Sequence, residues 1–166
     1  QEHFAIATTL ENLGNVYGQL GHLKEAREYY ERALKIKEKH YGSQEHFAIA
    51  TTLENLGNVY GDLGSLKEAK EYYERALRII KTGFGEKHFQ TAIVMKYLGD
   101  VLNQAGNLDV AKKYLEQALE IEERHFGKDG LETSKTLVYL GDVYRQLGNI
   151  IDANEILTRA LKIQEA

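Results

Sequence analysis

QEHFAIATTLENLGNVYG, residues 1–18, returns without a single change at residues 44–61. The identity then loosens but continues as far as Gly42 in the first copy and Gly85 in the second. Two more diverged copies follow at spacings of 42 residues. Gly14 maps onto Gly57, Gly99 and Gly141, Ala26 onto Ala69, Ala111 and Ala153, and Ala33 onto Ala76, Ala118 and Ala160. A fixed period of this length marks a repeat architecture, in which one unit cannot bury its faces alone and stacking is obligatory.

Within a unit the pattern predicts two helices. Leu10, Leu13, Tyr17 and Leu20 recur at three- and four-residue steps, which places helix A over about 4–20. Helix B follows over about 23–41, its inner face marked by Ala26, Tyr30, Ala33, Leu34 and Ile36 or Lys37. Gly21 breaks the first helix and Gly42 the second, and the breaks return at Gly64, Gly106 and Gly148 and at Gly85 and Gly127. Left-handed backbone at a helix C-terminus is what glycine tolerates best. Gly14 is different, because it falls inside a helix, where glycine costs about 1 kcal/mol relative to alanine. Its fourfold recurrence predicts a close helix crossing, with Ala26 and Ala33 as the matching small surface. The prediction is eight helices, no strand, and units at about 1–43, 44–86, 87–128 and 129–166 of a single domain.

Bulk composition excludes several function classes. The chain has 166 residues, 43% apolar and 28% charged, the balance of a folded domain. The net charge of −4 lacks the basic excess of a nucleic-acid footprint, and no apolar run approaches the ~20 residues of a membrane span. There is no cysteine, so disulfides, thiolate metal sites and cysteine nucleophiles are excluded, and a cytoplasmic home is expected. Residue 1 is not Met and no signal-peptide pattern follows it, as expected for a piece of a longer chain. His3, His46 and His88 are equivalent positions before helix A, with His40 and His125 near helix-B ends. Helix-end polar contacts account for them better than a metal site does, since stacked equivalents lie on the order of 10 Å apart. No catalytic constellation and no cofactor motif stands out from the repeat; Gly83–Lys87 is read as an inter-repeat turn.

The order Leu13-Gly14, Tyr17, Ala26, Tyr30, Ala33 resembles the tetratricopeptide repeat (TPR) signature over essentially the whole chain. Two features depart from it: the opening aromatic is replaced by Leu10, Leu53, Met95 and Leu137, and the closing proline is missing. The 42–43-residue period is similar to that of kinesin light chain repeats, and the Leu-Gly-Asn triplets at 13–15 and 56–58 resemble those of cell-polarity adaptors. The resemblance implies an all-α, right-handed α-α superhelix of four helix-turn-helix TPR units, with a concave groove lined by the A helices.

Carried over position by position, the resemblance assigns a peptide-binding groove to Thr8, Asn12, Asn15 and Gln19 of the first unit and Thr51, Asn55, Asn58 and Asp62 of the second. The third unit contributes Tyr97, Asp100 and Gln104 beside Ile93, and the fourth Lys135, Tyr139, Asp142 and Gln146. Steps of four, three and four residues put each set on one helix stripe. Asparagine is poor inside helices, but its amide both donates and accepts, so it can grip the backbone of an extended peptide. Glu11 and Glu54 stand where the carboxylate clamps of chaperone-binding repeats want a lysine, which disfavours a carboxylate-terminated peptide and favours a neutral or partly basic one.

The implied function is a non-enzymatic scaffold or adaptor for a protein or peptide partner. The alternative is a structural spacer or self-assembling segment of a longer array, favoured by the identity of the first two units. Divergence at Lys96, Tyr97, Asp100 and Lys135 favours specific binding. Ile150, Ile151, Ile156, Leu157, Leu161 and Ile163 in the last helix, with Phe4 and Ile6 in the first, lead us to expect end-to-end self-association.

Overall fold

The structure, a computed structural model, describes residues 2–42 and 46–166, with Glu2 described by its backbone alone. The unit boundary expected at 43–44 lies outside the described residues. Eight helices and no strand are found among them: α1 (Glu2–Gln19), α2 (Leu23–Tyr41), α3 (Phe47–Asp62), α4 (Leu66–Phe84), α5 (Phe89–Gln104), α6 (Leu108–Phe126), α7 (Leu131–Gln146) and α8 (Ile150–Glu165). They fall into two compact units, Gln1–Gly83 and Phe84–Ala166.

The turn from each A helix to its B helix has one construction. Gly21 takes φ +79°, its N–H donates to the Gly18 carbonyl, and the next N–H, of His22, reaches back to Tyr17. That pair of bonds satisfies carbonyls the helix leaves unpartnered, and only the left-handed residue between them allows it. The same pair recurs around Gly64, Gly106 and Gly148.

Two of the three B-to-A′ turns use histidine, and the third has Gly130 at the N-cap of α7. His46 and His88 sit at the N-caps of α3 and α5, where each Nδ1 accepts the backbone N–H two residues on. Their rings stack on the aromatic at the end of the preceding B helix, His46 on Tyr41 at 4.0 Å and His88 on Phe84 at 4.4 Å. The helix-end role expected for these two histidines is what the structure shows.

The first compact unit packs α1 on α2 and α2 on α3; the second packs α5 on α6, α6 on α7, α7 on α8 and α5 on α7. The atoms nearest to Gly14 and its equivalents belong to a large B-helix side chain rather than to an alanine. A Cβ on Gly14 would lie 2.6 Å from Cε1 of Tyr30, one on Gly57 2.7 Å from Tyr73, and those on Gly99 and Gly141 2.6 and 2.5 Å from Leu115 and Leu157. The glycine therefore clears room for one large B-helix side chain. Ala26 and Ala33 are fully buried separately, Ala33 in a cluster with Ala7 and Leu10.

Candidate functional site

Two buried ion pairs occupy equivalent places with their signs exchanged. In the first compact unit Lys37 of α2 donates from Nζ to Glu11 of α1 at 2.6 Å, to Thr52 of α3 at 3.0 Å and to the Ala48 carbonyl at 3.1 Å. Thr52 also donates to Glu11, closing the ring. In the second, Lys96 of α5 takes the place of Glu11 and Glu122 of α6 the place of Lys37. Lys96 lies 3.1 Å from Glu122 and 3.2 Å from Glu132 of α7, and Thr136 donates to Glu122. Lys96 is only 1% exposed. Each pair ties an A helix, its B helix and the next A helix together.

These pairs correct two sequence-based expectations. Glu11 is spent on Lys37, so it does not set the charge of a binding surface. Lys96, taken as a sign of ligand specificity, is core. The signal was present in the aligned columns: Glu11, Glu54, Lys96, Val138 against Lys37, Ile80, Glu122, Gln164 change together. Glu54 is the odd member, because Ile80 stands where the cation would be. Burial pushes its carboxyl up to about 7.

The predicted stripe residues lie mostly at the surface. On α1 Thr8, Asn12, Asn15 and Gln19 are exposed; on α3 Thr51, Asn58 and Asp62 are exposed and Asn55 half-buried. The Tyr30 hydroxyl donates to Asn15 Oδ1 at 2.6 Å, and Tyr73 donates likewise to Asn58. In the units where that tyrosine becomes Leu115 or Leu157, the asparagine becomes Asp100 or Asp142. Asn15 and Asn58 thus have an internal task as well as an exposed amide.

In the second compact unit the stripe is knitted across α5 and α7. Asn103 donates to Asp142 at 2.7 Å, and Gln146 donates to Asn103 at 2.8 Å and to Asp142 at 2.8 Å. Arg145 donates to Asp142 at 2.6 Å, and these bonds hold the Asp142 carboxyl below the usual carboxylate range. Asp100 is moved the other way, chiefly by burial and further by the Asp142 charge, although Gln104 donates to it at 2.9 Å. Tyr97 and Tyr139 are half-buried beside them, and Lys135 is held by Glu132 at 2.8 Å. Asn103, Arg145 and Glu132 were missed by the sequence reading. Asn103 and Arg145 replace Gly18 and Gly61 in the column, a change from no side chain to a long polar one that could have drawn notice.

Profiles described as Tetratricopeptide repeat match residues 6–48, 48–124 and 95–166. The chain belongs to the tetratricopeptide repeat family. No curated protein matches it. Among solved structures it is similar to BtubC (BKLC) from P. vanneervenii, with TM-score 0.86 and 29% identity over 96% of this chain. The TPR chain spans 63% of the length of that protein. The kinesin-light-chain-type, nearly identical TPR-like repeats of Podosopora anserina match with TM-score 0.77 and 23% identity, over 95% of this chain and 74% of theirs. A variant of that protein matches with TM-score 0.80, again at 23% identity with the same coverage. The fold class is thus the all-α TPR solenoid of four helix-pair units, with repeats folded like those of kinesin light chains. No helix among the described residues is long and apolar enough to cross a membrane.

Proposed function

We propose that the protein is a non-enzymatic scaffold that holds an extended segment of another protein along the exposed stripes of its A helices. Tetratricopeptide repeats in general mediate protein–protein interaction, and that much comes with the family. The observation that supports a peptide stripe is the α5–α7 surface, where Tyr97 and Tyr139 stand three residues before Asp100 and Asp142, and Asp142 is fixed by Asn103, Arg145 and Gln146. A preorganised surface of aromatic faces and fixed polar groups loses little conformational entropy on binding. Among the described residues Asp100 has no cation bonded to it and its donor is the neutral Gln104, so the surface suits a neutral or partly basic segment better than an acidic one.

Panning a random peptide library against the immobilised protein tests this. Enriched peptides are expected to carry net positive charge and to lose affinity when Tyr97 and Tyr139 are both replaced by alanine. Equal recovery on the wild type and on that double variant sinks the proposal. A second reading, self-assembly of the repeat array, has a separate support: α1 and α8 both carry exposed apolar side chains, including Ile6, Val16, Ile151 and Leu161.

A further inference from the structure

The chain enters α3, α5 and α7 along nearly one backbone path. The N-cap residues His46, His88 and Gly130 have φ −82°, −82° and −68°, with ψ 141°, 146° and 142°. Gly130 shows that this path needs no side chain. The two histidines therefore add something that the shape of the turn does not require. Each offers Nδ1 as the acceptor for a backbone N–H in the first turn of its helix, Ala48 for His46 and Gln90 for His88, both at 3.1 Å.

Imidazole accepts at Nδ1 only while it is neutral and carries its one ring proton on Nε2. A second proton turns that acceptor into a donor aimed at another donor. It also puts positive charge at a helix N-terminus, where the dipole favours anions. The ring is not free to swing away, because His46 stacks on Tyr41 with planes 7° apart and His88 on Phe84 with planes 12° apart. An imidazolium still packs favourably on an aromatic face, so the stack outlasts the cap and keeps the new proton against the amide. The usual caps, serine, threonine and asparagine, have no such sensitivity. Histidine is the side chain whose charge ordinarily changes near neutral pH.

The charged groups around the two rings reinforce this more than they oppose it. Beside His46, His3 of α1 and Lys39 and His40 of α2 line one cavity, and His40 meets Tyr41 edge-on at 4.8 Å. On the α6 side of His88, His125 stacks on Phe89 at 4.5 Å, and the neighbouring Arg124 is bonded to Glu120 at 2.6 Å. Lys87 precedes His88 directly. Glu45 and Glu86 lie one and two residues before the histidines in the sequence. Their charge acts in the opposite sense, but it cannot restore an acceptor at a protonated Nδ1.

We infer that His46 and His88 make the starts of α3 and α5 acid-sensitive: neutral imidazole caps each helix, a second ring proton uncaps it, and the turn at Gly130 is indifferent. Nitrogen-15 NMR of the whole chain reads the ring states. In mild base both rings should be the Nε2-protonated tautomer. Amide hydrogen exchange, corrected for intrinsic rates, is then compared between about pH 8 and about pH 5.5. The Ala48 and Gln90 amides should exchange about fivefold faster at the lower pH, the loss of one side-chain cap, while the Glu132 amide of α7 is unchanged. The double variant His46→Asn/His88→Asn caps at either pH. It should keep the wild-type circular dichroism and lose the acid-induced acceleration, whereas His46→Ala/His88→Ala should exchange fast at both. A neutral ring protonated on Nδ1, equal acceleration at Glu132, or acceleration that persists in the asparagine variant would each overturn the inference.

Discussion

A Cβ on Gly57 meets the ring of Tyr73, which is 3% exposed and bonded through its hydroxyl to Asn58, so the ring has little room to yield. Gly57→Ala should lower stability by about 1–2 kcal/mol, overpacking outweighing the gain in helix propensity, and Gly57→Leu by more. Gly18 is the opposite case: nothing lies within 4 Å of a Cβ there, and Asn103 and Arg145 occupy its equivalents. Gly18→Ala should therefore raise stability, by up to about 1 kcal/mol. Denaturant titrations of the two alanine variants check the opposite signs. Glu54 offers a pH-dependent case. Its folded-state pKa of about 7 stands above the ordinary value of 4.5. A carboxyl with a raised folded pKa favours folding below its unfolded pKa, and that contribution is lost as pH rises through 4.5 to 7. Glu54→Gln should thus stabilise the protein by on the order of 2 kcal/mol at about pH 8 and by almost nothing at about pH 4.5. A pH-independent difference between the two proteins would contradict this.

Between helices, each buried charge pair links an A helix, its B helix and the next A helix. Leucines slide over one another with little penalty, but a buried charge without its partner is strongly destabilising. Lys37→Glu places two carboxylates together beside Thr52 and should cost about 3–5 kcal/mol, the range found when a buried pair is broken. Adding Glu11→Lys reproduces the arrangement of Lys96 and Glu122, and should recover more than half of the loss. Recovery will be incomplete, because the carboxylate introduced by Lys37→Glu cannot donate to the Ala48 carbonyl as the lysine amine does. A double-mutant cycle measured by thermal unfolding gives the coupling directly. The expected stripe residues need the same attention. Asn58→Ala removes the acceptor of the Tyr73 hydroxyl as well as an exposed amide, so it is expected to reduce stability, and Asn55→Ala is the cleaner probe of peptide binding.

Over the protein as a whole, the net charge of −4 and the acidic side chains of the α5–α7 surface set a long-range preference. Peptides recovered for this surface should bind more weakly as salt is raised, and replacing their basic residues by acidic ones should slow association. Affinity unchanged by salt would mean that Tyr97 and Tyr139 carry recognition without the carboxylates. Fluorescence titration over a salt series decides between the two.

The eight helices, their turns and the family were legible in the order of residues alone, because these follow from local and periodic causes. Gly21 and its equivalents stop helices through backbone geometry, and the spacing of Leu10, Leu13 and Tyr17 needs only the helix period. The exposed stripe of Thr8, Asn12, Asn15 and Gln19 was legible for the same reason. Packing in three dimensions settles which residue answers which across helices. Gly14 lies nearest to the ring of Tyr30, Lys37 reaches two other helices from one buried amine, and Asn103 bonds from α5 to α7. No period along one helix encodes such partners, because they depend on how neighbouring helices cross. Identical residues make the point most plainly: Ile6 and Ile49 have the same local sequence, and only the helix packed over Ile49 makes it core.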